Sequence, residues 1–359
     1  AAQIYAPAVH GLALVAFAGW WFATGDLRFA INVATAVLII TCPCALGLAV
    51  PAVSTAAVSR LFSLGYLVRH ATALERLAEV SHVMCDKTGT LTRPFVNLPD
   101  DLSATDRQIA KALAQSSNHP LSRAIVTALA DTPAAELTEV REVPGNGVMG
   151  YYRDVIVRLG RGPWIGAATP GLCLSLGDAP PCPLEVPEVV RPGVESAIAA
   201  LDLPCEIVTG DAALPAERLA ACLSVPFISG ASPQDKLDRL QELSDAGERV
   251  LIIGDGLNDT AVLAAAHASI APSTALEASR NAADVVVLKD SFEDLPLVLH
   301  IARATRRLSQ QNFAIAALYN AIAIPIALAG IATPLMAALA MSVSSLTVLL
   351  NAQRMRWVK

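Results

Sequence analysis

The sequence has little charge and few aromatic residues. Only 16% of its 359 residues are charged and 5% are aromatic, whereas 54% are hydrophobic. This composition argues against an ordinary soluble enzyme, and the charged residues in the middle of the chain argue against a bundle of membrane helices alone. We therefore expect a mixed protein, with membrane helices and a soluble part.

An excess of positive charge and a cysteine framework are also missing. The formal net charge is −6 and no basic stripe occurs, so nucleic acid is not an expected partner. Of seven cysteines only Cys42 and Cys44 are closely spaced, which excludes a disulfide ladder or a zinc finger. The soluble part is therefore expected in a reducing cytosol.

Four apolar stretches are near the length that crosses about 30 Å of hydrocarbon. They run from about Pro7 to Ala23, Phe29 to Pro51, Asn312 to Ile331 and Pro334 to Asn351. Arginine and lysine collect on the side that joins the second stretch to the third, and the positive-inside tendency makes that side cytoplasmic. The lipid bilayer is thus an expected partner, with one large cytoplasmic insertion between two helical hairpins.

The insertion has the pattern of an α/β domain. Short apolar runs predict strands at Val80–Cys85, Cys205–Val208, Val250–Ile253 and Val285–Leu288. The first three end in acidic loops, which is typical of a parallel, doubly wound sheet with its site at the carboxyl ends of the strands. Residues 93–187 interrupt the pattern and predict an inserted domain.

An aspartate directly follows the first of these strands, in the segment Asp86-Lys87-Thr88-Gly89-Thr90. A carboxylate can attack a phosphoryl group and form an aspartyl-phosphate, provided that Mg²⁺ and cations accept charge on the transferred oxygens. Lys236 is a candidate phosphate ligand and Asp255 a candidate Mg²⁺ ligand. Each motif alone fits a surface turn equally well, but their order along the chain favours a catalytic set.

Two cysteines flank Pro43 inside the second apolar stretch. Proline removes a backbone hydrogen bond, so we expect the helix to loosen there and both thiolates to face one cavity. Sulfur ligands favour Cu(I) or Zn²⁺ over Na⁺, K⁺ or Ca²⁺. The alternative is that Cys42 and Cys44 are two small buried side chains beside a kink.

The last two stretches contain no Asp, Glu or Lys, although a Zn²⁺ site is expected to recruit a carboxylate. A thioether and neutral oxygens beside two thiolates suit Cu(I) better. Helix packing by small polar residues is the alternative. The candidate ion-path residues are Tyr319, Asn320, Met341, Ser344 and Ser345.

In this order, DKTGT, TGD and GDGLND inside a membrane chain resemble the P-type ATPases, and Cys-Pro-Cys resembles their heavy-metal branch. The pattern Tyr-Asn with Met-x-x-Ser-Ser is similar to that of the Cu(I) pumps. The resemblance implies ATP as substrate, phosphorylation of Asp86, and Mg²⁺ held by Asp86, Thr88 and Asp255. The remaining implied catalytic residues, which contact phosphate or support the loops, are Lys87, Thr209, Gly210, Asp211, Lys236, Asn258 and Asp259.

The inserted domain carries His119-Pro120, which is similar to the His-Pro motif of the heavy-metal pumps' nucleotide-binding domain. Gly145 and Gly147 fit the paired glycines that let the backbone approach the nucleotide. Relatives often have a glutamate five residues before this histidine, where this sequence has Ala114. The resemblance therefore implies a nucleotide site with altered affinity.

The predicted fold is α/β plus transmembrane α-helices, in four segments. Residues 1–79 form a membrane hairpin with the metal site and a cytoplasmic extension, and residues 299–359 form a second hairpin. Residues 80–92 and 188–298 form a hydrolase-type phosphorylation domain, into which residues 93–187 insert the nucleotide-binding domain. We expect the chain to be part of a longer pump, because no Thr-Gly-Glu actuator loop for dephosphorylation occurs in it.

The predicted function is ATP-driven Cu(I) export across a bacterial inner membrane, with the catalytic domains in the cytoplasm. Features such as Ile39-Ile40-Thr41 are similar to the subgroup that serves cytochrome oxidase assembly, which implies a cytosolic copper donor and a periplasmic acceptor. The alternatives are a Zn²⁺/Cd²⁺ pump of the same branch and a non-catalytic metal-binding protein. A membrane-tethered phosphatase is a third, although such an enzyme usually has a second aspartate where Thr88 stands.

Overall fold

The computed structural model describes residues 2–70, 72–117, 119–168, 171–255, 259–275 and 277–358. Asn258, one of the predicted catalytic residues, lies outside the described residues. The helices are α1 (Ala2–Thr24), α2 (Leu27–Ile40), α3 (Cys44–Ser63), α4 (Ala73–Ala78), α5 (Ala104–Gln115), α6 (Pro120–Ala128), α7 (Gly162–Ile165), α8 (Val194–Ala200), α9 (Ala213–Leu223), α10 (Pro233–Asp245), α11 (Thr260–Ala265), α12 (Glu277–Ala282), α13 (Leu295–Leu328) and α14 (Pro334–Gln353). The strands are β1 (Tyr66–Val68), β2 (His82–Cys85), β3 (Thr92–Pro94), β4 (Thr138–Val143), β5 (Gly147–Tyr152), β6 (Val155–Arg161), β7 (Leu172–Leu176), β8 (Cys182–Leu184), β9 (Glu188–Val190), β10 (Cys205–Val208), β11 (Phe227–Ile228), β12 (Val250–Ile253), β13 (Ala268–Pro272) and β14 (Val285–Val287).

Four described segments are long and apolar enough to cross a membrane. They are Pro7–Thr24, Leu27–Ser63, Leu295–Leu328 and Pro334–Trp357. Small side chains such as Ala13, Ala36 and Ala337 are buried where these helices meet, which lets the backbones approach closely. The predicted combination of an α/β part with transmembrane helices is confirmed.

The second membrane segment is broken at the Cys-Pro-Cys motif. Helix α2 ends at Ile40, where the hydroxyl of Thr41 donates to the carbonyl of Val37 at 2.7 Å, and α3 begins at Cys44. The sequence predicted one loosened stretch that ends near Pro51. The structure instead has two helices, because Pro43 offers no N–H to continue the first, and the second continues to Ser63.

A seven-stranded sheet forms the centre of the soluble part, in the order β1-β14-β13-β12-β2-β10-β11. All neighbouring pairs are parallel except β1 with β14. Strand β12 is buried along its whole length, as expected for a parallel sheet covered by helices on both faces. Strand β2 lies between β12 and β10, so the carboxyl ends of the three strands that precede acidic loops are adjacent.

A separate five-stranded antiparallel sheet, in the order β4-β5-β6-β7-β8, lies within residues 93–187. It has its own core, in which Leu113 and Ile125 of α5 and α6 pack with Val148 and Leu159 of the sheet. Strands β3 and β9 pair antiparallel and connect this unit to the larger sheet. The boundaries of the four sequence segments stay predictions.

Helices α3 and α13 join the large sheet to the membrane. Helix α13 has 34 residues, a length of about 51 Å. Its first turns bury Val298 and Ile301 in the same core as the sheet residues Val83 and Ile253. Helix α3 runs into β1, the edge strand of the sheet, so two helices connect the membrane part to the sheet directly.

Candidate active site and ion path

Asp86 lies immediately after β2, at the carboxyl edge of the large sheet. Its backbone N–H donates to the carbonyl of Ile253 at 2.8 Å, which fixes the end of β2 against the end of β12. The side chain is 11% exposed. The strand order therefore brings Asp86 beside the loop that follows β12, as the sequence predicted from strand ends alone.

Three carboxylates meet at this edge. Oxygen atoms of Asp86, Asp255 and Asp259 lie within 4.8 Å of one another. The ammonium of Lys236, on α10, is buried and donates to Oδ1 of Asp86 and to Oδ1 of Asp259, at 2.6 Å each. One cation thus faces three carboxyl groups, so the cluster has an excess of negative charge.

Burial first, and the excess negative charge second, shift the pKa values of the cluster. Burial, followed by the charge of Asp259, raises the pKa of Asp86 to about 6, although Lys236 opposes the shift. Burial and the charges of Asp86 and Asp259 raise the pKa of Asp255 to about 7. Burial lowers the pKa of Lys236, but its two carboxylate partners outweigh burial and raise it. Such a set of oxygen ligands suits a hard divalent cation.

Lys87 and Thr88 form a second polar cluster with two other carboxylates. The ammonium of Lys87 donates to Asp211 at 2.6 Å and to Glu188, and the hydroxyl of Thr88 donates to Asp211 at 2.6 Å. Burial lowers the pKa of Lys87, but these hydrogen bonds have the larger effect, so the pKa is raised. Because both side chains point to Asp211, the predicted contacts of Thr88 with phosphate and Mg²⁺ stay predictions.

The loop after β10 supports this second cluster. Thr209 is buried and its hydroxyl accepts a hydrogen bond from the N–H of Asp211 at 3.2 Å. Gly210 stands between them in the same loop. Burial favours the neutral form of Asp211, yet hydrogen bonds from Lys87 and Thr88 lower its pKa below the usual value. The carboxylate of Asp211 is thus ionised and oriented.

Sequence reasoning missed Glu188 and Arg191, which lie in and just after β9. Arg191 is buried, and its guanidinium donates to the carbonyls of Thr90 and Gly89 at 2.8 and 2.6 Å. It therefore holds the loop that follows the candidate nucleophile. A buried arginine is uncommon unless it is paired, but nothing in the spacing of the sequence connected Arg191 to residues about 100 positions away.

The predicted nucleotide-binding residues line one cavity of about 580 Å³ in the smaller unit. His119 caps α6, and its Nδ1 accepts a hydrogen bond from the N–H of Leu121 at 3.2 Å. Pro120 occupies the first position of that helix. Ala114 is buried in the core and does not line the cavity, whereas Glu142 does and accepts a hydrogen bond from Ser117 at 2.7 Å.

Gly145 and Gly147 line the same cavity, at the turn into β5. A Cβ atom on Gly147 would lie 2.2 Å from the carbonyl oxygen of Leu159 on β6. Only glycine therefore permits this approach of the two strands. On Gly145 an added Cβ would meet nothing within 4 Å, so the backbone there is open to a ligand.

The predicted ion-path residues meet in the membrane part. A small cavity of about 10 Å³ is lined by Cys42, Tyr319, Asn320, Met341 and Ser344, which come from three of the membrane segments. The hydroxyls of Tyr319 and Ser344 and Oδ1 of Asn320 are buried without a hydrogen-bond partner in the described part of the chain. Unpaired buried oxygens are costly, and these three are free to contact a ligand, but the predicted ion path stays a prediction.

Two predicted ion-path residues, Ser345 and Cys44, are not among those that line this cavity. Ser345 is half-buried. Cys44 is joined to Cys42 as a disulfide in the structure. Because the thiolate is the form that binds metal, the predicted ligation by the two sulfurs applies to the reduced chain.

Behind the cavity, an asparagine network connects three membrane helices. The amide of Asn312 on α13 is buried and donates to the carbonyl of Ala49 on α3 at 3.0 Å. Asn351 on α14 donates to Oδ1 of Asn312 at 2.9 Å. Hydrogen bonds between membrane helices stabilise one arrangement of them, and here they fix α13 against α3.

Comparisons with known proteins agree with this geometry. Residues 80–267 match the haloacid dehalogenase-like hydrolase family. Over 99% of this chain, it is 43% identical to the nitrogen fixation protein FixI of Rhizobium leguminosarum bv. viciae and 34% identical to a copper-exporting P-type ATPase of Mycobacterium tuberculosis. The chain spans 49% and 50% of these two relatives, about half of their length.

A solved structure is similar over nearly the whole chain. A zinc-transporting PIB-type ATPase in the E2.Pi state aligns with a TM-score of 0.66 and 26% identity, over 98% of this chain and 62% of the other. The four membrane helices fit this likeness. The chain is therefore an integral membrane protein that belongs to the haloacid dehalogenase-like hydrolases, and over nearly its whole length it is similar to metal-transporting P-type ATPases.

Proposed function

We propose that the chain is the catalytic and ion-path part of a pump that exports Cu(I) through an aspartyl-phosphate intermediate. The proposal rests on one observation: two helices connect the candidate phosphorylation site with the candidate metal cavity. The carboxylate cluster around Asp86 and the sulfur-lined cavity at Cys42 are joined by α3 and α13, which run from the membrane into the large sheet.

In the proposed reaction a carboxylate oxygen of Asp86 attacks the γ-phosphorus of ATP. The new O–P bond forms while the bond to the leaving ADP oxygen breaks. Lys236 lies 2.6 Å from Asp86 and is positioned to contact the phosphoryl oxygens, where charge develops. Asp86 must be ionised to attack, which its pKa of about 6 allows at neutral pH.

Asp86, Asp255 and Asp259 are the residues that would hold Mg²⁺. The three carboxylates lie close together, and burial raises the pKa values of Asp86 and Asp255, so a divalent cation stabilises the cluster. Oxygen is the ligand type that Mg²⁺ prefers. When bound, the ion neutralises charge on the phosphoryl oxygens. The predicted role of Thr88 at this ion stays part of the proposal.

Cu(I) is the proposed cargo because of the chemistry of the membrane cavity. The two reduced cysteines and the thioether of Met341 are soft ligands, and the unpaired oxygens of Tyr319 and Ser344 are neutral. A bacterial inner membrane, a cytosolic copper donor and a periplasmic acceptor, as in oxidase assembly, belong to the same proposal. The names of relatives support it, since several are copper-exporting or copper-transporting ATPases.

The two helices couple phosphorylation of the sheet to movement of the ion in the membrane part. Phosphorylation changes the charge at the carboxyl edge of the sheet, and α13 packs its first turns into the core of that sheet. The same helix carries Tyr319 and Asn320 to the metal cavity. A shift of the sheet is thus transmitted to the cavity by a rigid element, which opens one side of the ion site.

A Zn²⁺/Cd²⁺ pump is the second candidate, favoured by the zinc-transporting structural relative. Metal-stimulated labelling with [γ-³²P]ATP separates the two in the full-length protein, kept reduced, with Cys42→Ser/Cys44→Ser and Asp86→Asn as controls. We expect acid-stable label that Cu(I) stimulates, that Zn²⁺ does not, and that both controls lose.

Stimulation by Zn²⁺ alone overturns the Cu(I) assignment. Absence of label in a protein that binds ATP supports a non-catalytic metal-binding protein, and label that is independent of metal supports a phosphatase-like activity.

A further inference from the structure

A cavity of about 600 Å³ lies at the amino edge of the large sheet, away from the catalytic carboxylates. Its walls come from the beginnings of β2 and β10, from the turn before β11, and from α8 and α9. Two cysteines line it, Cys205 at the start of β10 and Cys222 near the end of α9, together with Glu195 on α8. This amino-edge cavity therefore brings sulfur and carboxylate ligands together outside the sites described above.

A second thiol lies behind Cys205. The Sγ atoms of Cys205 and Cys85 are 4.0 Å apart across the paired parallel strands β10 and β2. Cys85 is fully buried and does not line the cavity, whereas Cys205 is half-buried and does. An ion that enters the amino-edge cavity therefore meets Cys205 first, with Cys85 directly beyond it.

The separation of the two sulfurs fits a shared metal ion. Two sulfurs that bind one ion at about 2.3 Å, the length of a zinc–sulfur bond, are about 3.8 Å apart at a tetrahedral angle and about 4.6 Å apart when they lie on opposite sides of the ion. The observed 4.0 Å lies between these limits. The side chains of Cys85 and Cys205 therefore need little movement to hold an ion between them.

The number of ligands favours Cu(I). Thiolates select Cu(I), Zn²⁺ and iron–sulfur clusters, but Zn²⁺ takes four ligands and the clusters take four cysteines. In the part of the chain that the structure describes, no third Cys, His, Asp or Glu has a ligand atom within 4.8 Å of both sulfurs. Cu(I) accepts two thiolates without further ligands, so it is the metal that this pair suits.

We propose that Cys85 and Cys205 form a Cu(I) site in the soluble part of the chain, separate from the ion path in the membrane. The ion enters through the amino-edge cavity, where the exposed thiol of Cys222 donates to Glu195 at 3.2 Å. A coordinated thiol is deprotonated, so both thiol protons pass to solvent on binding. The S–Cu–S link then joins β2 to β10. Because Asp86 directly follows Cys85, the occupied site fixes the strand that carries the candidate nucleophile.

The test counts the Cu(I) bound to the reduced full chain by competition with the chromophoric chelator bicinchoninate. Cys42→Ser/Cys44→Ser is the background variant, because it removes the sulfurs of the membrane part and makes the result independent of the proposed function. This variant should still bind Cu(I), with sulfur ligands in its X-ray absorption spectrum. Adding either Cys205→Ser or Cys85→Ala should lower the stoichiometry by one equivalent.

Two other thiols provide matched controls. Cys222→Ser removes the exposed thiol of the same cavity, and Cys182→Ser removes a half-buried thiol from β8 in the smaller unit. Neither should change the stoichiometry. Cu(I) should also raise the melting temperature of the background variant, and this rise should disappear with Cys205→Ser. Equal melting temperatures of the two variants without metal show that the substitution leaves the fold intact.

Three outcomes overturn the inference. A stoichiometry that is unchanged by Cys205→Ser shows that Cu(I) binds elsewhere. An equal loss with Cys222→Ser or Cys182→Ser shows that any thiol of the soluble part contributes. A background variant that binds no Cu(I) shows that the soluble part has no site, whatever the phosphorylation experiments give.

Discussion

Gly89 and Asp255 are so close that a Cβ atom built on the glycine would lie 1.8 Å from Oδ2 of the aspartate. The glycine also has a φ of 74°, in the left-handed region. Its backbone thus forms one wall of the pocket that holds the candidate Mg²⁺ ligand. The loop after the nucleophile and the loop after β12 can meet only if this position lacks a side chain.

We expect Gly89→Ala to impair phosphorylation strongly by displacing Asp255. The clash is with a carboxylate held at the carboxyl edge of the sheet, and the left-handed φ adds about 1–2 kcal/mol of strain. Labelling of the full-length protein with [γ-³²P]ATP should fall at least about tenfold, a loss equivalent to about 1.4 kcal/mol of transition-state stabilisation.

Gly230→Ala is the matched control for this prediction. Gly230 has a φ of 66° in the same domain, but an added Cβ meets nothing within 4 Å. It shares the strain without the clash and should keep most of the labelling. If both variants lost activity equally, strain rather than the contact with Asp255 would be the cause.

The raised pKa of Asp255 predicts that Asp255→Asn stabilises the protein without Mg²⁺. The carboxyl titrates at about 7 in the folded chain and near 4 when unfolded, so the folded state binds more protons between these values. Stability is therefore lost as pH rises through about 7. The amide of the asparagine variant does not ionise and so avoids this loss of stability. The melting temperature should rise by about 2–4 °C for each kcal/mol of unfolding free energy that is recovered.

The gain should be larger at pH 8 than at pH 5, where the native carboxyl is already protonated. Thermal unfolding of the purified chain at both pH values, with and without Mg²⁺, provides the measurement. Mg²⁺ should stabilise the unaltered chain but not the variant. Asp202→Asn, an exposed position on the same domain, should change nothing. A lower melting temperature for Asp255→Asn at pH 8 would contradict the electrostatic argument.

The position of Lys236 between Asp86 and Asp259 predicts a pH-dependent loss of function when it is removed. Without the ammonium, burial and repulsion are opposed only by a backbone hydrogen bond from Lys87, so the pKa of Asp86 should rise above about 6. The unaltered protein should gain labelling as pH rises from 5 to 7, because the ionised carboxylate is the nucleophile. In Lys236→Ala the residual labelling should be lower and should rise only at more alkaline pH.

The pH profile separates this role from a loss of folding. A structural defect lowers labelling at every pH, whereas an electrostatic defect also moves the midpoint. Lys236→Arg keeps the charge and should keep the midpoint near that of the unaltered protein. An unchanged midpoint in Lys236→Ala would show that the ammonium does not control the ionisation of Asp86.

Sequence reasoning located the strands and loops of the catalytic edge because each acidic loop follows a short buried apolar run. It predicted that the helix loosens at Pro43, because proline acts locally, but it did not predict that one helix ends and another begins there. It did not predict that Thr88 faces Asp211, or that Glu188 and Arg191 complete the site. These contacts join residues far apart in the chain. The pairing of β2 with β10 brings Asp211 to Thr88, and the pairing of β3 with β9 brings Glu188 and Arg191 to the site.

The sequence pattern also did not predict the full length of α13. Hydropathy marked only its apolar part, from about Asn312, but the helix begins at Leu295. Its first turns are amphipathic, and they bury one face in the core of the large sheet. The continuous connection between catalytic edge and ion cavity therefore became visible only once the partner surface of these turns was known.

Ser344 should respond in opposite directions in two measurements if the membrane cavity binds Cu(I). Its hydroxyl is buried without a described partner, which costs about 1–3 kcal/mol in the empty protein. Ser344→Ala removes that cost, so the melting temperature without metal should rise or stay the same. Because a neutral oxygen is lost from the cavity, the Cu(I) concentration for half-maximal labelling should increase several-fold.

Ser342→Ala serves as the control, because this exposed hydroxyl on α14 already donates to the carbonyl of Ala338 at 2.9 Å. It should leave the Cu(I) dependence unchanged. A purely packing role for Ser344 predicts a different pattern, in which stability changes and the Cu(I) dependence does not. The combination of unaltered or higher stability with weaker Cu(I) activation therefore distinguishes an ion ligand from a packing residue at this position.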